Sequence, residues 1–337
     1  MSTPAPCTVW RGTSPEAFAA FQGWLAAHPR PLLLTHERPD GDAFGSLAGL
    51  WLALKNRGLQ PVAWLRRPLP ERYRFLPLPA DWATTGGPLP AAAVDGVCAL
   101  DTSRGDRLDR PAGDDGSALP SFALDHHADH APFADATLVA PETAATAQLV
   151  ARFLRDAGWT VSADAATCLL AGLIMDTGGF RFDNTSPEVL RDAAWLADRG
   201  AAYGVCMDAL FHREPIGRKR LAARILEQAQ AACDGRFLYA VLEPAWFAEL
   251  GVAPQDTEGL IDTLRTVAGV ELCALIQPEP DHTRVSLRAR SARCPADRIA
   301  HALGGGGHTL AAAAKIPGQT PAQVIPRLIE LARAGLA

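Results

Sequence analysis

Four short apolar runs in the first 175 residues each lead into an Asp or a His, and this pattern constrains the fold more than any other feature. The runs at residues 31–34, 97–100 and 122–124 have the length of buried strands, whereas residues 169–175 belong to a helical pattern. Helical patterns between the strands predict a mainly parallel sheet with helices on both faces. Because ligands bind beyond the carboxyl ends of such strands, the polar residues that follow the runs are expected on one rim.

The pattern changes after residue 186. A long helical stretch follows, and alternating strand and helix patterns resume near residue 235. We therefore predict an α/β fold with a doubly wound, mainly parallel N-terminal sheet domain, a helical connector and a smaller C-terminal α/β domain. The expected boundaries are residues 1–186, 187–232 and 233–337. Residues 109–120, rich in Gly, Pro and Asp, are predicted to form a surface loop of the first domain.

Charge and composition narrow the class of protein. The formal net charge of −5 lacks the basic excess of proteins that follow long duplex nucleic acid. None of the seven cysteines forms a C-x-x-C pair, which favours free thiols in a reducing cytosol. The N-terminus has no signal-peptide pattern, and the longest apolar stretch, residues 165–175, is too short to span a bilayer. We expect a cytoplasmic protein without a membrane partner.

The segment after the first strand carries the strongest local signal. His36 is followed by Asp40 and Asp42 at spacings of four and six, a set that can converge on a metal ion. The alternative is a polar turn in which Asp42 or Ser46 caps the next helix.

The other strand ends add to this set, and together they indicate two cations that share a carboxylate. Carboxylate and imidazole ligands without sulfur suit Mn²⁺, Mg²⁺ or Fe²⁺ better than a structural zinc. His127 then remains to hydrogen-bond a phosphate or to protonate a leaving oxygen. The six candidate metal ligands are His36, Asp40, Asp42, Asp101, His126 and Asp176.

A second set of candidates lies near the C-terminus. Four glycines at residues 304–307 precede His308, and successive glycine N–H groups can surround an anion. The alternative is a helix C-cap. Arg288 alternates with Ser286 on a predicted strand, so both could face one ligand. The candidate substrate-binding residues are His127, Ser286, Arg288, Gly305, Gly306, Gly307 and His308.

These motifs together resemble the DHH phosphoesterase superfamily with its C-terminal DHH-associated domain. The resemblance covers nearly the whole chain, and its two-domain length is similar to the branch of nanoRNases, pAp phosphatases and cyclic di-AMP phosphodiesterases. One departure is Ala313, where relatives often have a glycine. The motifs are THERPDGDAFGS at residues 35–46, DTS at 101–103, DHH at 125–127, DTGGFRF at 176–182, VSLR at 285–288 and GGGGH at 304–308.

The resemblance implies a hydrolase that releases nucleoside monophosphate from cyclic di-AMP, pApA, short oligoribonucleotides or pAp. It implies two Mn²⁺ ions, with Mg²⁺ or Co²⁺ as alternatives, and Asp101 and His127 as catalytic residues. It also implies that His127, Arg288 and the Gly-Gly-Gly-His segment contact substrate, and it suggests a homodimer. The implied ligand sets are His36, Asp40 and Asp101 for one ion, and Asp42, Asp101, His126 and Asp176 for the other.

Three other functions fit part of the pattern. An inorganic pyrophosphatase shares the metal motifs but lacks the Gly-Gly-Gly-His segment. A RecJ-like exonuclease usually carries further nucleic-acid-binding domains, which 337 residues and a net charge of −5 disfavour. A nucleotide-sensing module without activity would typically have lost metal ligands, whereas all six candidates are present.

Overall fold

A computed structural model describes residues 7–65, 69–78, 83–84, 94–111, 119–253, 257 and 259–337, without the side chains of residues 83, 84 and 308. The chain forms two compact units, Met1–Arg213 and Glu214–Ala337. Among the described residues, the model has no helix whose length and apolar character would let it cross a membrane. All seven cysteines, which lie in the described ranges, are free thiols.

The first unit is built on a seven-stranded sheet in which every neighbouring pair is parallel. Its order is β1-β7-β6-β5-β2-β3-β4. Strands β3 and β4 therefore follow on one side of β2, and β5, β6 and β7 follow on the other side. The strands are β1 Thr8–Arg11, β2 Pro31–Leu34, β3 Val62–Leu65, β4 Ala83–Thr84, β5 Gly96–Leu100, β6 Ser121–Asp125 and β7 Ala136–Val139.

The helices of the first unit begin where the sequence offers a cap. Serine side chains at positions 14, 162 and 186 accept a backbone N–H at the starts of α1, α4 and α5, and Asp40 does so for α2. The helices are α1 Pro15–Ala27, α2 Gly41–Asn56, α3 Thr146–Asp156, α4 Ala163–Asp176, α5 Pro187–Asp198 and α6 Tyr203–Met207, which a π-helical turn extends to His212.

The two faces of this sheet have different cover. Leu33, Cys98 and Leu124 point into a core formed with helices α1–α4. The alternate residues, such as Leu34 and Ala99, pack against Leu108, Phe133 and Ala134, which belong to connecting segments. Within the described residues, connecting segments therefore cover the face on which a second layer of helices was expected.

The second unit has a six-stranded mixed sheet of order β12-β13-β11-β10-β9-β8. Helices α10 and α11 pack on one face, and residues of α7–α9 pack on the other over β9 and β10. Its elements are α7 Ile216–Glu227, β8 Gln230–Ala232, β9 Phe237–Val241, α8 Pro244–Leu250, α9 Asp262–Arg265, β10 Leu272–Pro278, β11 His282–Ala289, α10 Ala296–Ala302, β12 Gly306–His308, β13 Ala311–Pro317 and α11 Pro321–Leu336.

The predicted fold class is confirmed: an α/β chain with a parallel N-terminal sheet and a smaller C-terminal sheet unit. Helices α5 and α6 belong to the first unit and α7 to the second, so the predicted connector at residues 187–232 is divided between the units. The predicted loop at residues 109–120 lies partly outside the described residues.

Candidate metal centre

The six predicted metal ligands meet at the carboxyl edge of the first sheet. His36 and Asp40 follow β2, Asp101 follows β5, and His126 follows β6. Because β2 and β5 are neighbours at the point where the strand order reverses, their carboxyl ends open into one crevice. Asp176 arrives from a different element, as the last residue of α4.

His36, Asp40 and Asp101 form the first ligand group, with ligand atoms that lie within 4.8 Å of one another. His36 Nε2 is 3.8 Å from Asp101 Oδ2. Asp40 caps helix α2, since its Oδ1 accepts the N–H groups of Asp42 and Ala43. The helix cap that the sequence allowed as an alternative is therefore formed by Asp40 rather than by Asp42 or Ser46.

Asp42, His126 and Asp176 form the second group, within the same 4.8 Å limit. His126 Nε2 is 3.3 Å from Asp176 Oδ2, 4.0 Å from Asp42 Oδ2 and 3.6 Å from Asp101 Oδ1. His126 therefore contacts Asp101, which belongs to the first group. Asp101 is the residue that joins the two groups.

Helix α3 anchors this arrangement from behind. The N–H groups of Thr146 and Ala147, at its first turn, donate to the two carboxylate oxygens of Asp42 at 2.6 and 2.8 Å. The Thr146 hydroxyl donates to Asp101 Oδ1 at 3.1 Å, and the Thr143 carbonyl lies 3.4 Å from His126 Nδ1. Sequence reasoning missed both threonines, because Thr146 lies far along the chain from Asp42 and Asp101 and Thr143 acts through its backbone carbonyl.

The electrostatics of these buried groups favour a cation between them. Burial and the charge of Asp101 raise the pKa of Asp42 well above its ordinary value. Burial would also raise the pKa of Asp101, but the contact with His36 and the charges of His127 and His126 outweigh it and hold the pKa at about 2. Two carboxylates that repel each other out of contact with water are a fitting ligand set for divalent cations.

His127 lies beside the ligand groups and also contacts Asp125. Its Nδ1 is 3.9 Å from Asp101 Oδ1, and Asp101, His126 and His127 form a third group of potential ligand atoms within 4.8 Å of one another. His127 Nδ1 is 2.7 Å from Asp125 Oδ1, while Asp125 Oδ2 is 2.6 Å from His130 Nδ1. Burial would lower the pKa of His127, but the charge of Asp125, its hydrogen bond and the charge of Asp101 raise it to about 9. His130 was missed as a candidate, and its only signal was its position three residues after His127.

Ser286, Arg288 and Gly306, three of the predicted substrate residues, occupy register positions on one sheet face. Residues of β11 alternate between buried and half-buried, and Ser286 and Arg288 are on the half-buried side. Ser286 pairs with Ala313, which pairs with Gly306. Arg288 pairs in the same way with Ala311, which pairs with His308. This face is opposite the one that α10 and α11 cover.

The glycine segment divides into two parts. The N–H groups of Gly304 and Gly305 donate to the His301 and Ala300 carbonyls, respectively, and end helix α10. Gly306, Gly307 and His308 form edge strand β12 of the described sheet. A side chain at Gly307 would come within 2.7 Å of the Ala311 carbonyl. The predicted role of the His308 side chain lies outside the described residues.

Comparison with known families assigns both units. Residues 32–173 match the model of the DHH family, N-terminal domain, and residues 234–337 match the DHHA1 domain. The first match contains five of the six predicted metal ligands, and the second contains Ser286 and Arg288.

Curated relatives match over most of their length. The chain is 34% identical to "Bifunctional oligoribonuclease and PAP phosphatase NrnA" of Thermus thermophilus over 89% of this chain and 88% of that protein. It is 24% identical to the protein of the same name from Bacillus subtilis, over 85% and 88%. Among solved structures, an exopolyphosphatase-related protein from Bacteroides fragilis has the same fold, with a TM-score of 0.83, 21% identity and coverage of 96% and 98%.

Proposed function

This chain belongs to the DHH family, and we propose that it is a phosphoesterase that hydrolyses small nucleotides with two divalent cations and releases nucleoside monophosphate. The observation that carries the proposal is the pair of ligand groups joined by Asp101. The names of its relatives support oligoribonucleotides and pAp as substrates. Cyclic di-AMP and pApA contain the phosphodiester bond of oligoribonucleotides, and we include them in the proposal.

We assign His36, Asp40 and Asp101 to one cation and Asp42, His126 and Asp176, together with Asp101, to the other. Bound there, two cations would acidify a water molecule and offset the negative charge of the phosphoryl oxygens. The donor set of carboxylate and imidazole supports Mn²⁺, with Mg²⁺ or Co²⁺ as substitutes.

His127 is proposed to act on the substrate rather than on a cation. Asp125 accepts a hydrogen bond from Nδ1–H of His127. Nε2 is then the ring nitrogen through which His127 is proposed to act on the substrate. In the protein without cations, the contact with Asp125 favours the protonated form of this ring, and the pKa of His127 is raised to about 9. The protonated ring can donate a hydrogen bond to a phosphoryl oxygen or a proton to the leaving oxygen.

The second unit is proposed to bind the rest of the nucleotide. The Arg288 guanidinium suits a phosphate or a base edge, and Ser286 lies beside it on the same face. The small side chains of Ala311 and Ala313 leave that face shallow, and β12 supplies edge backbone next to it. We assign the predicted contacts of Gly306, Gly307 and His308 to this backbone.

The test is a product time course with purified protein and Mn²⁺, in which cyclic di-AMP, pApA, a short oligoribonucleotide, pAp and pyrophosphate are offered in parallel. Asp101→Asn is the inactive variant, because it keeps the size of the side chain and removes the charge that joins the two ligand groups. Asp106→Asn is its control, since Asp106 is exposed and its carboxylate pairs with Arg104.

The proposal requires AMP from at least one nucleotide with wild type and Asp106→Asn, and none with Asp101→Asn. Hydrolysis of pyrophosphate alone would replace it with the pyrophosphatase alternative. Nucleotide binding without hydrolysis under Mn²⁺, Mg²⁺ and Co²⁺ would favour the sensing module.

A further inference from the structure

Asp125 holds two histidines at once. Its carboxylate is fully buried, and each oxygen is within hydrogen-bond distance of one imidazole, His127 at 2.7 Å and His130 at 2.6 Å. Both contacts are made by the Nδ1 atom of the ring. Each ring therefore contacts a different oxygen of Asp125, and the two rings together occupy both carboxylate oxygens.

This geometry fixes which nitrogen of each ring donates. An ionised carboxylate only accepts hydrogen bonds, so Nδ1 of both histidines must carry a hydrogen. His130 Nε2 is buried and has no hydrogen-bond partner among the described residues. Among the described residues, the donation to Asp125 is therefore the one hydrogen bond that the His130 ring makes.

The contact restricts the carboxylate that orients His127. A carboxylate bonded through one oxygen can turn about its χ2 angle, whereas one bonded through both oxygens to rigid rings cannot do so without breaking a hydrogen bond. The backbone N–H of His130 also donates to the backbone carbonyl of His127 at 3.3 Å. The His130 ring lies against the ring of Phe133, with centroids 5.6 Å apart. His130 is therefore held in place independently of Asp125.

We propose that His130 is a positioning residue for the hydrolysis: it locks the Asp125 carboxylate, which in turn holds His127 with Nδ1–H bonded and Nε2 directed away. This inference rests on the proposed function, in which His127 acts on the substrate. The described contacts of His130 are with Asp125, the His127 carbonyl and Phe133, so its effect on His127 passes through Asp125.

Two amide variants separate this role from simple packing. In His130→Asn the amide nitrogen stands where Nδ1 was and can still donate to Asp125. In His130→Gln the amide nitrogen stands near the former Nε2, where the described structure offers no acceptor. Loss of a group that orients an active-site residue typically costs about 10- to 100-fold in activity. We expect that loss in kcat for His130→Gln, with KM and Mn²⁺ affinity nearly unchanged, and near-normal kcat for His130→Asn.

The His127→Ala background provides the decisive comparison. If His130 acts through His127, adding His130→Gln to that background lowers kcat no further. Equal losses in both backgrounds, or equal losses for His130→Asn and His130→Gln, would overturn the inference in favour of a packing role. Should His130→Gln fail to fold, His130→Phe replaces it, because it keeps the ring against Phe133 and has no donor.

A measurement that needs no activity keeps this inference separate from the proposed function. Long-range ¹H–¹⁵N spectra of metal-free protein labelled at histidine report the protonation of each imidazole nitrogen. We expect a single, hydrogen-bonded Nδ1–H signal for His127 in wild type and His130→Asn, and a changed or averaged signal in His130→Gln. An unchanged signal in His130→Gln would sink the inference, whereas failure of the wild type to hydrolyse any ester would sink only the proposed function.

Discussion

Asp101 combines a chemical role with an unusual backbone. Its φ of 56° lies in the left-handed region, which Asp and Asn tolerate better than other residues with a Cβ. Residue 101 must therefore meet two separate requirements, one from the backbone turn at the strand end and one from the ligand position. A carboxylate joins the two ligand groups, and a short polar side chain tolerates the turn out of β5.

This separation predicts different outcomes for two substitutions. Asp101→Asn and Asp101→Ala should both abolish Mn²⁺-dependent hydrolysis, because both remove the carboxylate. Asp101→Ala should also be less stable than Asp101→Asn by about 1–2 kcal/mol, since Ala pays the left-handed penalty and cannot accept from Thr146. Urea unfolding of the two metal-free variants measures the difference. Equal stabilities would mean that the backbone at residue 101 relaxes on substitution.

The Asp125–His127 pair predicts how stability depends on pH without metal. The pKa of His127 rises on folding from 6.5 to about 9, so its contribution is fully present below pH 6.5 and is lost as the pH rises towards 9. The pKa of Asp125 is lowered from 3.8 despite burial, chiefly by the charge of His127, so its contribution is present above pH 3.8 and lost in acid.

Urea unfolding of EDTA-treated wild type and His127→Gln between pH 6 and pH 9.5 tests this. We expect the stability gap between them to narrow as the pH rises through 9. Because other titrating groups are common to both proteins, their effects largely cancel in the difference. A gap that stays constant or widens would show that His127 is not charged in the folded protein.

The sequence revealed the six ligand candidates because each follows an apolar run or lies near its end. The same reasoning could not find Thr146 or His130. The backbone N–H of Thr146 donates to Asp42, which lies 104 positions earlier in the chain. His130 matters because its ring contacts the Asp125 carboxylate. Support of this kind depends on tertiary contacts that no local pattern records.

At the scale of elements, helices α2 and α4 cross closely behind the site. A Cβ at Gly45 would lie 2.5 Å from the Cys168 carbonyl oxygen, and a Cβ at Gly172 would lie 2.8 Å from Asp42 Oδ1. Glycine at both positions lets the backbones approach, which sets the depth at which α4 delivers Asp176. Both helices were predicted from their periodicity, but this close approach was not.

The crossing predicts a steric cost for Gly45→Ala. The added methyl meets backbone atoms that cannot rotate aside, so we expect a loss of about 1–3 kcal/mol in the free energy of unfolding, with weaker Mn²⁺ binding. Gly23→Ala is the matched control, because Gly23 is exposed in helix α1 with no atom within 4 Å of the added methyl. That variant should gain about 0.5–1 kcal/mol. Similar effects of both substitutions would contradict the close crossing.

Elements with strong patterns were predicted, and those with weak patterns were not. Strands β2, β5, β6 and β11 and helix α4 lie where the sequence patterns indicated. Strands β1, β7 and β13 were missed, because their residues are short, polar or alanine-rich and become strands only by pairing with a neighbour already in place. The glycines at 306 and 307 were interpreted as part of an anion cradle or a helix C-cap, and edge strand β12 was not predicted.

At the scale of the whole molecule, the ligand groups lie in the first unit and the Arg288 face in the second. Cation binding should therefore protect the first unit selectively. A cation at 100 times its dissociation constant stabilises the state that binds it by about 2.7 kcal/mol. Hydrogen exchange with and without Mn²⁺ should show slower exchange near residues 34–46, 97–103 and 122–147 and little change in β10 and β11. Equal protection of both units would contradict this assignment.

Arg288→Ala tests whether the second unit binds the substrate. Loss of a charge-assisted phosphate contact typically costs about 1.5–3 kcal/mol, which corresponds to about a 10- to 100-fold fall in kcat/KM. Mn²⁺-induced protection of the first unit should remain at the wild-type level, because no ligand is lost. Arg298→Ala is the control, since Arg298 is an exposed residue of α10 on the opposite face. If Arg288→Ala retained full kcat/KM on every nucleotide, substrate recognition would have to be sought elsewhere than on this face of the DHHA1 domain.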